Sequence, residues 1–190
     1  MLSHWTSRMM LVGMFVAPAG LCAQAVADAP LARGTLAFDA HATLGAFTGT
    51  TSTMTGHLTG ASALTGVCGW VEAPANSLTT NNGHRDSDMA GSLEIAKYPT
   101  IRFDLDSVSF GETRGDSIAV SLKGRFTLHG QTHVATIPGN AWISANGARF
   151  RGALPINVKD YGIGGLSKML GILKMSEIIV VRIDVTFDKS

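Results

Sequence analysis

Cysteine is nearly missing from this chain. Cys22 and Cys68 are the only two in 190 residues, too few for a disulfide framework to carry the fold. Charge is sparse too, at 15% of residues with a formal net charge of +1. So weak and evenly mixed a charge gives no electrostatic case for a nucleic-acid surface or a polybasic membrane patch. Beyond residue 27 no run is long and apolar enough to form a spanning helix. The signatures of nucleophilic and zinc hydrolases are missing as well: there is no Ser-x-x-Lys, Gly-x-Ser-x-Gly or His-Glu-x-x-His. The glycine-rich run at 162–165 lacks the Gly-Lys-Ser/Thr ending of a phosphate loop and reads as a hinge. His129 and His133 are four apart, but across a tight turn they fall on different strands with no cysteine or carboxylate beside them. His41, His57 and His84 have no ligand spacing. These absences leave no catalytic residue, metal site or cofactor to name.

What is present begins with a leader. Arg8 precedes an apolar run at 9–20, and both Ala23-Gln24-Ala25 and Ala25-Val26-Ala27 offer a small-x-small cleavage site. Residues 1–27 therefore read as a cleaved secretory signal, the run being short for a membrane span. A lipid anchor at Cys22 fits poorly, because Leu21 stands where a small residue is needed. Loss of Arg8 leaves a near-neutral domain at 28–190, long enough for one hydrophobic core. Cleavage would leave Cys68 as the one cysteine, without an intramolecular partner. Its neighbours Val67 and Trp70 favour burial over a link between two chains.

The rest reads as β-structure. Leu36 and Phe38 alternate with small or polar residues, and Leu44 and Phe47 follow in a Gly/Thr-rich run. The stretch 48–66 suits two short, bent strands, with a flexible linker as the alternative. Ile101, Phe103 and Leu105 oppose Arg102, Asp104 and Asp106, after which the apolar phase slips to Val108 and Phe110. That slip predicts a bulge near Asp106-Ser107. Ile118, Val120, Leu122, Phe126 and Leu128 form one apolar face interrupted by Gly124. Phe150, Leu154, Ile156 and Val158 line another, and Ile179, Val181, Ile183, Val185 and Phe187 close the chain opposite Arg182, Asp184 and Thr186. Long one-faced antiparallel strands curl into a barrel, which also removes their exposed edges. The expected fold is thus all-β, an antiparallel barrel with one or two short helices. One helix is expected within 86–95. A second is expected after Gly164-Gly165, where Leu166, Met169, Leu170 and Leu173 recur at helical spacing as a plug or lid at one barrel end.

The stretch 81–110 carries a more specific pattern. Asn82, Arg85, Asp86 and Met89 are followed by Tyr98, Pro99, Thr100, Ile101 and Phe103. Downstream come Leu128-His129-Gly130-Gln131-Thr132 and the Gly-Ile-Gly-Gly-Leu-Ser-Lys-Met-Leu-Gly run at 162–171. In this order the three motifs resemble the YceI-like family, described as lipocalin-like, periplasmic and polyisoprenoid-binding. The resemblance implies a lipocalin-like barrel enclosing an isoprenoid lipid, polyprenyl or quinone-like, in an apolar cavity. Its wall or mouth would include Arg85, Phe103, Leu105, Ile118, Val120, Phe126, Met169 and Ile183. It also implies a periplasmic carrier or sequestering protein rather than an enzyme, with no membrane span once the leader is lost.

Two readings of Arg85-Asp86 stay open. In one, Arg85 clamps carbonyls or a carboxylate while Asp86 caps the following helix. In the other, Arg85 holds the polar head of a lipid at the barrel mouth. The wider alternatives are a stress-response or interaction protein with a filled barrel, as monomer or homodimer, and an enzyme acting on a lipid inside it.

Overall fold

Alternation at period two runs through most of this chain, and the structure converts it into a closed sheet. The structure is a computed structural model that describes residues 29–43, 45–60, 66–164, 167–168 and 173–188, with backbone alone at 167–168 and 173–174. The expected leader at 1–27 and residues Leu44, Leu64, Leu166, Met169 and Leu170 lie outside the described residues.

The strands are β1 (Ala29–Ala42), β2 (Gly45–Thr51), β3 (Thr55–Thr59), β4 (Cys68–Pro74), β5 (Thr100–Arg114), β6 (Ser117–Leu128), β7 (Gln131–Ser144) and β8 (Gly147–Asn157). After β8 come the two-residue β9 (Ser167–Lys168) and β10 (Leu173–Lys174), then β11 (Ile178–Asp188). Sequential antiparallel pairing links β3 through β8, and β8 pairs with β11. The last strand returns to the first: Leu31 opposes Phe187, and Asp39 opposes Val180. On its other side β1 meets β2 along Leu36 to Ala42 and β3 at Ala29 and Pro30. β2 and β3 thus act as one barrel strand broken at 52–54, and the result is a closed eight-stranded antiparallel barrel.

The inward faces are those that alternation dictates. Ile101, Phe103 and Leu105 of β5, Val120, Phe126 and Leu128 of β6, and Ile179, Ile183, Val185 and Phe187 of β11 are all buried. The register of β5 on β6 shifts between Leu105 and Ser107, at the place where the apolar phase slips. Outward positions carry charge. Arg149 and Arg151 both grip the Asp184 carboxylate, each at 2.7 Å. Arg102 lies between Glu72 and Asp104 with its guanidinium 4.5 Å from the Trp70 ring centroid.

Three expectations need correction. The α-helix expected within 86–95 is α1 (Gly83–Ser92), between β4 and β5, and it starts three residues earlier. Asn82, not Asp86, is its cap: the Asn82 Oδ1 accepts the Arg85 backbone N–H at 3.0 Å, the usual work of an N-cap amide oxygen. The second helix does not form as one continuous element through 166–173. Ser167–Lys168 pairs antiparallel with Leu173–Lys174, and a helix keeps its hydrogen bonds within four residues and leaves none for such a pair. So short an apolar run fits either conformation. Finally, Cys68 is buried as expected but is disulfide-bonded, the other half lying outside the described residues. A lone thiol at Cys68 follows only where the stretch carrying Cys22 is removed.

Candidate functional site

The barrel is not evenly filled. At the end where α1 lies, a chamber of about 420 Å³ opens inside the strands. Its walls are the inward residues Leu36 and Phe38 of β1, Ile101 of β5, Phe126 and Leu128 of β6, and Ile179 and Val181 of β11. The β1–β2 hairpin adds Ala46 and Phe47. Val158, Ile163 and Met175 arrive from the segments linking β8 to β11.

α1 covers one side of this chamber. Arg85, Asp88, Met89, Ser92 and Leu93 all line it, and their spacing of three and four residues is that of one helical face. Among the described lining residues, Arg85, Asp88 and Ser92 bring the only polar side chains, all on α1. The other described lining residues are apolar. Polarity is therefore confined to one edge of an apolar space.

The helix is held by its own first turn and the loop before it. Asp86 reaches back and accepts hydrogen bonds from the Thr80 hydroxyl at 2.6 Å, the Thr79 hydroxyl at 2.7 Å and the Thr80 amide at 2.8 Å. Those donors, the Thr80 hydroxyl foremost, hold its carboxyl below the usual carboxylate range. Thr79 in turn is bridged to Thr50 at the end of β2. Asp86 is thus a strut for the loop, and Arg85 beside it is left to face the chamber. The Arg85 guanidinium stacks 4.4 Å from the centroid of Phe47, whose ring meets Phe38 edge-on at 6.2 Å. No carboxylate among the described residues makes a salt bridge to it. Its charge is oriented by an aromatic face and is not neutralised by an ion pair.

Phe38 needs a neighbour without a side chain. It opposes Gly49 across β1 and β2, and a Cβ on Gly49 would fall 2.1 Å from the Phe38 ring. The ring occupies the space that a side chain at Gly49 would take, which fixes the chamber wall.

The two histidines that invited a metal reading do structural work. His129 Nδ1 lies 2.9 Å from the carbonyl of Tyr161, and His133 Nε2 lies 3.0 Å from that of Asp160. Both carbonyls belong to the short 3₁₀ turn Val158–Tyr161, and the Tyr161 ring packs edge-on against Phe126 at 5.7 Å and against His133 at 4.8 Å. The hairpin between β6 and β7 is thereby fastened to the turn that closes this barrel end.

The residues expected in a cavity wall are distributed as follows. Arg85 and Phe126 line the large chamber. Phe103, Leu105, Val120 and Ile183 line a second, smaller chamber of about 90 Å³ toward the other barrel end. Ile118 is half-buried against the core and lines neither. Met169 lies outside the described residues. Phe38, Phe47, Met89 and Leu93 were not anticipated. The helical spacing of Met89 and Leu93 from Arg85 was the signal available for the last two.

Known proteins agree with this architecture. A polyisoprenoid-binding domain from Saccharophagus degradans, implicated in plant cell wall breakdown, superposes with a TM-score of 0.70 at 19% identity, covering 87% of this chain and 100% of that one. The BcnA protein of Burkholderia cenocepacia superposes at 0.67 with 14% identity, covering 80% of this chain and 95% of that one. No curated protein sequence matches this chain. The YceI-like domain matches over residues 30–187, the whole of the barrel from β1 to β11, and the chain belongs to that family.

Proposed function

We propose that the protein is a non-catalytic binding protein that takes an isoprenoid lipid, polyprenyl or quinone-like, into the chamber beside α1. The observation that carries this reading is the chamber itself: about 420 Å³ of space whose described lining is apolar apart from the side chains of Arg85, Asp88 and Ser92 along α1. That volume lies in the range of small-ligand sites. Each methylene moved from water into such a wall contributes about 0.8 kcal/mol, so a long apolar chain needs few polar contacts. In this reading Arg85 meets a diphosphate, a phosphate or a ring carbonyl at the head of that chain. The Saccharophagus degradans domain, described as polyisoprenoid-binding, supports the ligand class. A filled barrel would leave no such chamber, and the described strand residues that line it are apolar. We place its work in the periplasm, an oxidising compartment that suits the disulfide at Cys68.

The test is native mass spectrometry of protein purified from an oxidising compartment, followed by solvent extraction. A stoichiometric adduct with isoprenoid fragments is the expected result. A bare mass that stays bare after incubation with ubiquinone and polyprenyl phosphates would overturn the proposal.

A further inference from the structure

Among the described residues the barrel interior narrows between the two chambers. Between them lies a void of about 20 Å³, space for roughly one water and too little for a methyl-branched chain. Its position follows from its walls. Leu36, Ile101 and Phe126 line both this void and the large chamber, whereas Phe103, Ile137 and Ile183 line both the void and the far chamber. The narrowing is built around two rings. Phe103 and Phe126 are directly opposed across β5 and β6, and their exposures are 6% and 5%. Phe126 meets Tyr161 edge-on on the α1 side, while the Phe103 ring lies over Gly124, where a Cβ would come within 2.8 Å of it. Phe126 is held by the Tyr161 ring and Phe103 is packed close over Gly124, so either ring swings aside only by displacing packed atoms.

We infer that Phe126, backed by Phe103, is the floor of the binding chamber and sets the length of isoprenoid chain the protein accepts. This rests on the reading of the chamber as an isoprenoid site. The physical consequence is a ceiling. Each five-carbon unit that enters the chamber leaves water and raises affinity by roughly tenfold or more. Units beyond the floor stay in solvent and add nothing. The ligand class is therefore a short isoprenoid, or the head-proximal part of a longer one whose tail protrudes.

The experiment is a binding series with geranyl, farnesyl, geranylgeranyl and octaprenyl diphosphates, read by tryptophan fluorescence or calorimetry on the intact protein. In the wild type, affinity is expected to climb through the short members and then level off, octaprenyl binding within about twofold of the longest chain that fits. Phe126→Ala is expected to remove the levelling, so that octaprenyl diphosphate gains roughly tenfold or more over that same chain. Phe126→Leu, which keeps more of the core volume, should show the same trend in smaller measure and serves if the alanine variant fails to fold. A wild-type affinity that keeps climbing to octaprenyl overturns the floor and leaves the isoprenoid reading intact. A series in which no member binds overturns both.

Discussion

Asp184 is an outward residue that the alternation of β11 places in solvent, yet it is the most strongly perturbed carboxylate among the described residues. Hydrogen bonds from Arg149 and then Arg151 draw its pKa down to about 2, against the cost of partial burial. A folded-state pKa below the unfolded value means that the stabilisation is complete above about pH 4 and is lost as pH falls toward 2. Asp184→Asn should therefore lower stability at neutral pH by about 1 kcal/mol, a figure reduced for solvent screening of a partly exposed pair. It should also flatten the acid limb of a pH–stability curve obtained by urea denaturation, and an unchanged acid limb would show that the pair contributes nothing. Arg85 is the opposite case, a cation that makes no salt bridge among the described residues and feels Asp86 only at longer range. Arg85→Gln should leave the thermal midpoint nearly unchanged and weaken binding of diphosphate-headed lipids by about tenfold or more. Affinity for the parent hydrocarbon, which has no head for the guanidinium to meet, should stay the same. Equal losses for both would assign Arg85 to the chamber wall. The sequence marked Arg85 and Phe126 because motif and alternation are local properties. It did not mark Phe38 and Phe47, whose roles depend on a ring lying over Gly49 and on a guanidinium arriving from α1, contacts made only after the strands pair.

At the level of the element, β5 and β6 were the easiest part of the chain to read. Their inward residues follow period two, and the bulge between Leu105 and Ser107 is written in the slip from Leu105 to Val108. The strand pair also carries a sharp steric constraint. Gly124 opposes Leu105, one step before the bulge, and a Cβ there would meet the Asp104 carbonyl oxygen at 2.1 Å. Backbone cannot retreat as a side-chain tip can, so Gly124→Val should destabilise the barrel by at least about 1–3 kcal/mol. A urea midpoint equal to wild type would mean that the two strands slide past the contact. The helix expected after Gly165 was a harder case for a different reason. Leucines and methionine at three- and four-residue spacing satisfy a helical face, but eight residues are too few to exclude a hairpin, and only the pairing of Ser167–Lys168 with Leu173–Lys174 decides it. α1 was legible as to type but not as to its start, because Asn82, Asp86 and Asp88 are all acceptable caps in sequence and the structure selects one.

For the molecule as a whole, closure and binding are one event. The barrel shuts only when β1 meets β11, strands from opposite ends of the described chain, and the chamber draws walls from β1, β5, β6 and β11 together. No subset of strands encloses it. This is why the sequence could show that Phe103, Phe126 and Ile183 face inward without showing which of them border empty space. Packed core and cavity wall demand the same residue type, and the difference is the volume left over when every strand is in place. The same dependence has a measurable consequence. A ligand held in the chamber binds the closed barrel and not the unfolded chain, so at a free concentration a hundred times its dissociation constant it should add about 2.7 kcal/mol to global stability. For a domain of this size that corresponds to a rise of roughly 5–10 °C in the thermal midpoint. Trp70 on β4 and Trp142 on β7 lie on different strands, so their fluorescence and the far-ultraviolet circular dichroism should move together, as a single cooperative unit requires. Phe126→Ala should start from a lower midpoint, by the cost of truncating a buried phenylalanine. With a long-chain isoprenoid it should then regain more than the wild type does, since the enlarged chamber buries more of the chain. A ligand that binds tightly yet leaves the midpoint unmoved would have to engage folded and unfolded chains alike, and the closed chamber would not be its site.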